Sequence, residues 1–231
     1  MKKSVAILFF SILSFGILAQ QSDTIVMTSC NQNTPGWGES LGIISFYTTS
    51  EWIIEGSSIT QIWSDAVTAT NCQKTSFNGG YRDTTTESTN HNFNADCRSN
   101  PGFPGDLFSW CAVMRFADQL CPYPWRVPAV QDFIGLDIAL GGTGESRLGT
   151  SSDIATPEFV LDNYITLWDG AFGGLSLPDG TLHSQGLSGT YWSQTEIHAT
   201  GGLRLGFSTI GHVTPQNWSF KDRGFLLRCV R

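Results

Sequence analysis

The chain has 231 residues, with 13 basic against 20 acidic side chains and a formal charge of −7 at neutral pH. That acidic balance repels phosphate backbones and anionic lipid, which excludes nucleic acid as an ordinary partner. Charged residues are only 14% of the chain, while Gly (25) and Trp (8) are abundant, which suits a loop-rich fold held by buried aromatics rather than a helix bundle or a disordered tail.

Lys2 and Lys3 precede an almost purely apolar run from Val5 to Leu18, and Ala19 leads into a polar stretch. Residues 1–19 read as a secretory signal peptide, too short for a comfortable transmembrane span and followed by no stop-transfer pattern. The mature chain is therefore expected to be exported (extracellular, at the cell surface or periplasmic), with no membrane insertion after cleavage. Cys30, Cys72, Cys97, Cys111, Cys121 and Cys229 all follow the leader. In an oxidising compartment six cysteines allow three bridges in 15 connectivities. No C-x-x-C pair occurs, and His91, His183, His198 and His212 are scattered without ligand spacing, so no metal or cofactor is expected.

Residues 20–43 form a lead-in containing Cys30, and one domain is expected over 44–231. Residues 45–47, 52–54 and 59–63 read as short strands, and Ser64 as the N-cap of a short helix through Ala69. Residues 73–96 are dominated by Asn, Thr, Gly, Ser and charge, and are expected to be irregular and exposed. Cys72 and Cys97 bracket them, and a bridge there would offset about 3.5 kcal/mol of ordering entropy. Residues 106–120 place Leu107, Trp110, Cys111, Met114, Ala117 and Leu120 at near-helical spacing, stopped by Pro122 and Pro124. Pro128 opens a second helix through Leu140, ended by Gly141-Gly142. Its apolar residues on most sides predict burial, with Asp132 and Asp137 as a solvated edge. Beyond it the chain reads as Gly-punctuated strands and loops, clearest at 191–193, 202–208 and 225–230. The second helix is expected to pack on an antiparallel sheet containing both of the last two strands.

Five motifs follow one another: Leu-Phe-Ser-Trp-Cys-Ala-Val at 107–113, Cys-Pro-Tyr-Pro-Trp-Arg-Val-Pro at 121–128, Gly141-Gly142, Tyr-Trp-Ser-Gln-Thr-Glu at 191–196, and Gly-Phe-Leu-Leu-Arg-Cys-Val-Arg at 224–231. In this order they resemble the Fibrobacter succinogenes major paralogous domain, a family of exported bacterial proteins, over residues 44–231. The resemblance implies an α+β, C-type lectin-like fold, with two helices packed on a twisted antiparallel sheet and long loops on one side. It also implies recognition or adhesion outside the cell, with a glycan or a protein as ligand, and it carries over no catalytic residue and no cofactor. Cys121 and Cys229 sit inside the most family-like motifs, among apolar neighbours such as Leu120, Leu227 and Val230, and a disulfide between them is expected.

Calcium-dependent sugar-binding relatives of that wider fold place carboxylate and amide oxygens on either side of a Pro, followed by Trp-Asn-Asp. The nearest stretch here, Thr214-Pro215-Gln216-Asn217-Trp218-Ser219, offers amides and a hydroxyl where calcium wants carboxylates. Trp110, Trp125 and Trp192, inside the motifs, are expected in the core. Trp168 and Trp218 lie in loop-like sequence and, with Gln216 and Asn217, are the candidate ligand-facing residues. The Trp-Arg-Val-Pro stretch before a helix is also similar to the formylglycine-generating enzymes, whose chemistry needs a reactive cysteine pair. Here Cys121 and Cys229 read as structural, and no second pair of cysteines shows thiolate-favouring surroundings. A non-catalytic binding or adhesion module is the leading expectation. A structural component of a bacterial surface assembly comes second, and an enzyme of the formylglycine-generating fold third.

Overall fold

The computed structural model describes residues 46, 48, 50–56, 60–69, 97–145, 158–178, 180–198 and 200–231. The leader at 1–19, the lead-in at 20–43 and the polar segment at 73–96 lie outside the described residues, as do Cys30 and Cys72. In chain order the described elements are β1 (Trp52–Glu55), β2 (Thr60–Ala66), β3 (Cys97–Arg98), β4 (Leu107–Phe108), α1 (Trp110–Arg115), α2 (Ala117–Leu120), α3 (Val130–Ala139), α4 (Glu158–Thr166), β5 (Leu175–Ser176), β6 (Leu182–His183), β7 (Ser188–His198), β8 (Gly201–Ser208), β9 (Val213–Phe220) and β10 (Arg228–Val230). The fold is mixed, with short helices and antiparallel sheets ordered β1–β2–β10, β3–β4, β5–β6 and β7–β8–β9.

The segment from Phe225 to Val230 explains how these pieces share one interior. All six of its residues are buried, and extended backbone sends successive side chains to opposite sides. Phe225, Leu227 and Cys229 enter one core with Trp110, Cys111, Leu120, Cys121, Trp125 and Trp192. Leu226 and Val230 enter the other, with Trp63, Phe133, Leu136, Tyr164, Trp168, Tyr191 and Leu205. Tyr191 and Trp192, adjacent in β7, divide between the two cores in the same way. A parallel bridge between Tyr191 and Leu226 stitches the two three-stranded sheets together. The strands at 202–208 and 225–230 thus stand in different sheets, contrary to the single sheet expected, yet α3 packs in the core to which both contribute.

The local signals account for α1 and α3. The Ser109 hydroxyl caps α1 by accepting the Ala112 N–H at 3.1 Å. At the start of α3 the Asp132 carboxylate accepts the Ala129 N–H at 2.7 Å and grips Arg126 through two hydrogen bonds of 2.6 and 2.7 Å. At its end Gly141, with φ +96°, donates to Ile138 O (3.1 Å), and Gly142 donates to Asp137 O (2.7 Å). This paired closure needs a left-handed residue after the last turn, which is why glycine stands there.

Several expectations are corrected. Ser64 caps no helix: it lies in β2, between β1 and β10, where its hydroxyl accepts the Cys229 N–H at 2.8 Å. The helix over 128–140 is one-sided rather than wrapped in apolar contacts, since Gln131 is exposed and Ile138 is 51% exposed. Asp137 is not solvated but buried, accepting hydrogen bonds from Gly144 N–H (2.7 Å) and the Tyr164 hydroxyl (3.0 Å). More helices are described than the two expected, because residues 158–166 form α4. Val160 and Tyr164, four apart, are fully buried on one face, while the Phe, Val, Tyr, Ile and Thr content of the segment argues locally for strand.

The Cys121–Cys229 bond is present, with Cα atoms 5.5 Å apart across 108 residues. Closing a span of that length restricts the unfolded chain by about 4.8 kcal/mol in the chain-entropy treatment. Cys97 and Cys111 are disulfide-bonded as well. Trp110, Trp125 and Trp192 are buried as expected.

Tyr164 and Tyr191 are fully buried, and burial holds both phenols above their usual range, Tyr191 up to about 12. In the unfolded chain a tyrosine ionises near pH 10, so this stabilisation is complete below about pH 10 and is lost as the pH rises toward about 12. Urea midpoints should fall across that interval, and Tyr191→Phe should flatten the fall. Midpoints indifferent to pH there would contradict the burial of both rings.

Candidate functional site

The expected ligand-facing residues divide sharply. Trp168 lies at the centre of the core, 0% exposed. Its ring meets Trp63 (5.4 Å, 89°), Tyr164 (5.9 Å, 87°) and Tyr191 (4.8 Å, 65°), and the Arg228 guanidinium sits 4.5 Å from its centroid. It is not a ligand-facing residue. It follows the last turn of α4, and the helix missed in the sequence is what carries it inward.

Gln216, Asn217 and Trp218 do come together, on β9 at the outer position of the β7–β8–β9 sheet. This stretch is a strand rather than a loop. Pro215, which locally argues against a strand, is tolerated at an outer position and at a register shift: Gly206 opposes Thr214 while Arg204 opposes Asn217, so β9 carries one extra residue there. The polar groups nearby are engaged with the protein itself. Thr214 Oγ1 donates to Gly206 O (3.2 Å), the Gln216 amide nitrogen donates to Gly144 O (2.8 Å), and Asn217 Oδ1 accepts the Trp218 N–H (2.8 Å).

Past the register shift β9 alternates cleanly. Trp218 and Phe220 share one face, while Ser219 is buried on the other. Trp218 is half-buried, with its ring 5.2 Å from His198 and 5.3 Å from Phe220, both at steep angles. Phe220 is 45% exposed and His198 is exposed. These rings form an aromatic shelf along the sheet edge.

Two adjacent glycines of β8 make room for aromatics on opposite sides of that sheet. A Cβ at Gly201 would lie 2.5 Å from the His198 ring, and one at Gly202 would lie 2.6 Å from the Trp110 ring. The shelf therefore rests on Gly201, and the core beneath it on Gly202. His198 and Phe220 are shelf residues that sequence reading did not select. The one local signal for them was the Trp-Ser-Phe alternation at 218–220, which Pro215 obscured.

A second concavity, of about 340 Å³, lies between α3 and the β1–β2 pair and is lined by Ile54, Gln61, Gln131, Gly135, Ile138 and Arg231 among others. Its charges are already matched, Arg126 with Asp132 and Arg231 with Glu51. Among the described residues no cluster of three or more His, Cys, Asp or Glu side chains is placed to hold a metal, and no helix is long and apolar enough to cross a membrane. No protein-family model, curated protein or solved structure matches this chain.

The two tryptophans should respond oppositely to truncation. Trp168→Ala is expected to lower the unfolding free energy by about 3–5 kcal/mol, whereas Trp218→Ala should cost about 1 kcal/mol or less. Chemical denaturation of both variants checks this, and the reverse order would contradict the placement of either ring.

Proposed function

We propose that this chain is an exported, non-catalytic recognition module that binds its ligand, a glycan, on the His198–Trp218–Phe220 shelf. In this reading it is similar to the Fibrobacter succinogenes major paralogous domain and shares a C-type lectin-like arrangement. The shelf is the observation that carries the proposal. Indole and phenyl rings presented together at a sheet edge offer apolar area to the C–H faces of a sugar ring, at little cost in side-chain entropy. Supporting it, the Cys121–Cys229 bond joins two of the motifs on which the resemblance rests, and Cys97 and Cys111 are also oxidised, which fits a compartment outside the cytoplasm.

A surface-assembly role is the second reading. It is favoured by an exposed apolar side chain at the same end of the sheet, Ile197 (48%), near Phe220 (45%). Light scattering separates the two readings, because assembly requires concentration-dependent self-association.

The direct test is a glycan array probed with the purified mature protein, with and without a calcium chelator. Binding should survive the chelator, because Thr214, Gln216 and Asn217 supply no carboxylate and already bond to the chain. Trp218→Ala should weaken binding about tenfold, the equivalent of an aromatic contact worth about 1.4 kcal/mol. An array without hits, or hits that Trp218→Ala leaves untouched, would remove the shelf as the binding surface.

A further inference from the structure

Helix α3 turns a second face away from the core. Val130, Phe133, Leu136 and Asp137 are buried, whereas Gln131, Gly135 and Ile138, spaced i, i+4 and i+7, line the concavity of about 340 Å³ against β1 and β2. Gly135 lies inside the helix, where glycine is destabilising relative to alanine, and its backbone is not left-handed. Apart from the helix itself, an added Cβ would have only the Gln61 amide within 4 Å, its nitrogen at 3.3 Å. Glycine therefore clears the floor of the concavity. It also leaves room for Gln61, whose Nε2 donates to Asp132 O (3.0 Å) and whose Oε1 accepts the Trp63 indole N–H (3.2 Å). Ile138, 51% exposed, is an aliphatic wall left open, and Ile54 of β1 lies among the lining residues across from it.

The polar groups at the rim decide what fits. The charges are neutralised in place. Arg126 holds Asp132 through two hydrogen bonds (2.6 and 2.7 Å), and Arg231 holds Glu51 through two more (2.7 and 2.8 Å). A charged ligand would meet no unmatched counter-charge there. Two other lining side chains, the Gln131 amide and the Thr60 hydroxyl, are exposed and make no hydrogen bond among the described residues. Each of them can both donate and accept. A carboxylate only accepts and an ammonium only donates, whereas a sugar hydroxyl does both and can meet either group in either sense. The volume stands at the small end of the range for ligand pockets, which suits one ring rather than a chain.

We propose that the concavity between α3 and the β1–β2 pair is a binding site for one neutral sugar ring. Gln131 and Thr60 meet its hydroxyls, while Ile54, Ile138 and the bare backbone of Gly135 meet its C–H face. The site shares no residue with the His198–Trp218–Phe220 shelf and does not depend on it.

The test titrates the purified mature chain with D-glucose, D-galactose, D-mannose and N-acetyl-D-glucosamine, and with sodium glucuronate as the charged control, reading the Ile138 methyl resonances by NMR. At least one neutral sugar should shift them saturably, and glucuronate should act only at higher concentration. Gln131→Ala, an exposed change, should weaken the apparent affinity about fivefold, the worth of one neutral hydrogen bond. Gly135→Met fills the floor with a better helix former and should abolish the response without lowering the melting temperature. Trp218→Ala should leave the response unchanged. The site does not exist if no neutral sugar gives a saturable shift, or if the response survives Gln131→Ala at full strength. Glucuronate acting as strongly as the neutral sugars, or loss of the response in Trp218→Ala, would equally overturn it. The shelf would still stand or fall on the glycan array and its own Trp218→Ala variant.

Discussion

The guanidinium of Arg228 is a full positive charge placed among tryptophans, and the arrangement around it organises the interior. It is 1% exposed and lies in the middle of the buried 225–230 segment, on the side facing Trp168. Burying such a charge is costly unless its donors are matched. Here Nε donates to Ser64 O on β2 at 2.5 Å, while Nη1 donates to Trp168 O and to Asp169 O (3.3 Å) in the turn after α4. Nη2 is buried without a hydrogen-bond partner, and the indole face of Trp168, 4.5 Å from the guanidinium, offsets part of that cost through a cation–π contact in a dry setting. Burial lowers the group only to about 10, so it remains charged under ordinary conditions. One side chain thus binds the β1–β2–β10 sheet to the α4 turn and holds Trp168 inside.

From that fixed centre the two-sided character of the fold follows. The 225–230 segment feeds alternate residues into two cores, and β7 does the same with Tyr191 and Trp192. With the disulfide at Cys229 on one side and Arg228 on the other, the final strand is held from both directions. The β7–β8–β9 sheet is then covered on each face over much of its length but runs past its cover near β9. What protrudes there is the aromatic shelf. The same strands that fill the core therefore supply the exposed aromatic rings, and Gly201, Gly202 and Gly206 set how closely the overlying groups approach.

The amino-acid sequence by itself determined whatever depends on a residue's own backbone demands or on short spacing. Pro128 and Gly141 mark the ends of α3, the alternation of Leu203, Leu205 and Phe207 marks β8, and the motif tryptophans 110, 125 and 192 belong inside. These signals are local, carried by a fixed φ, a left-handed glycine or a two-residue period. Only the tertiary structure decided which of Trp168 and Trp218 meets solvent, that Asp137 is buried against Tyr164, and that β9 tolerates Pro215. Exposure is not a property of a side chain but of the elements that come to cover it from far along the chain. Trp168 is enclosed because Arg228, 60 residues away in sequence, reaches its carbonyl, while Trp218 stays half open because β9 takes the outer position in its sheet.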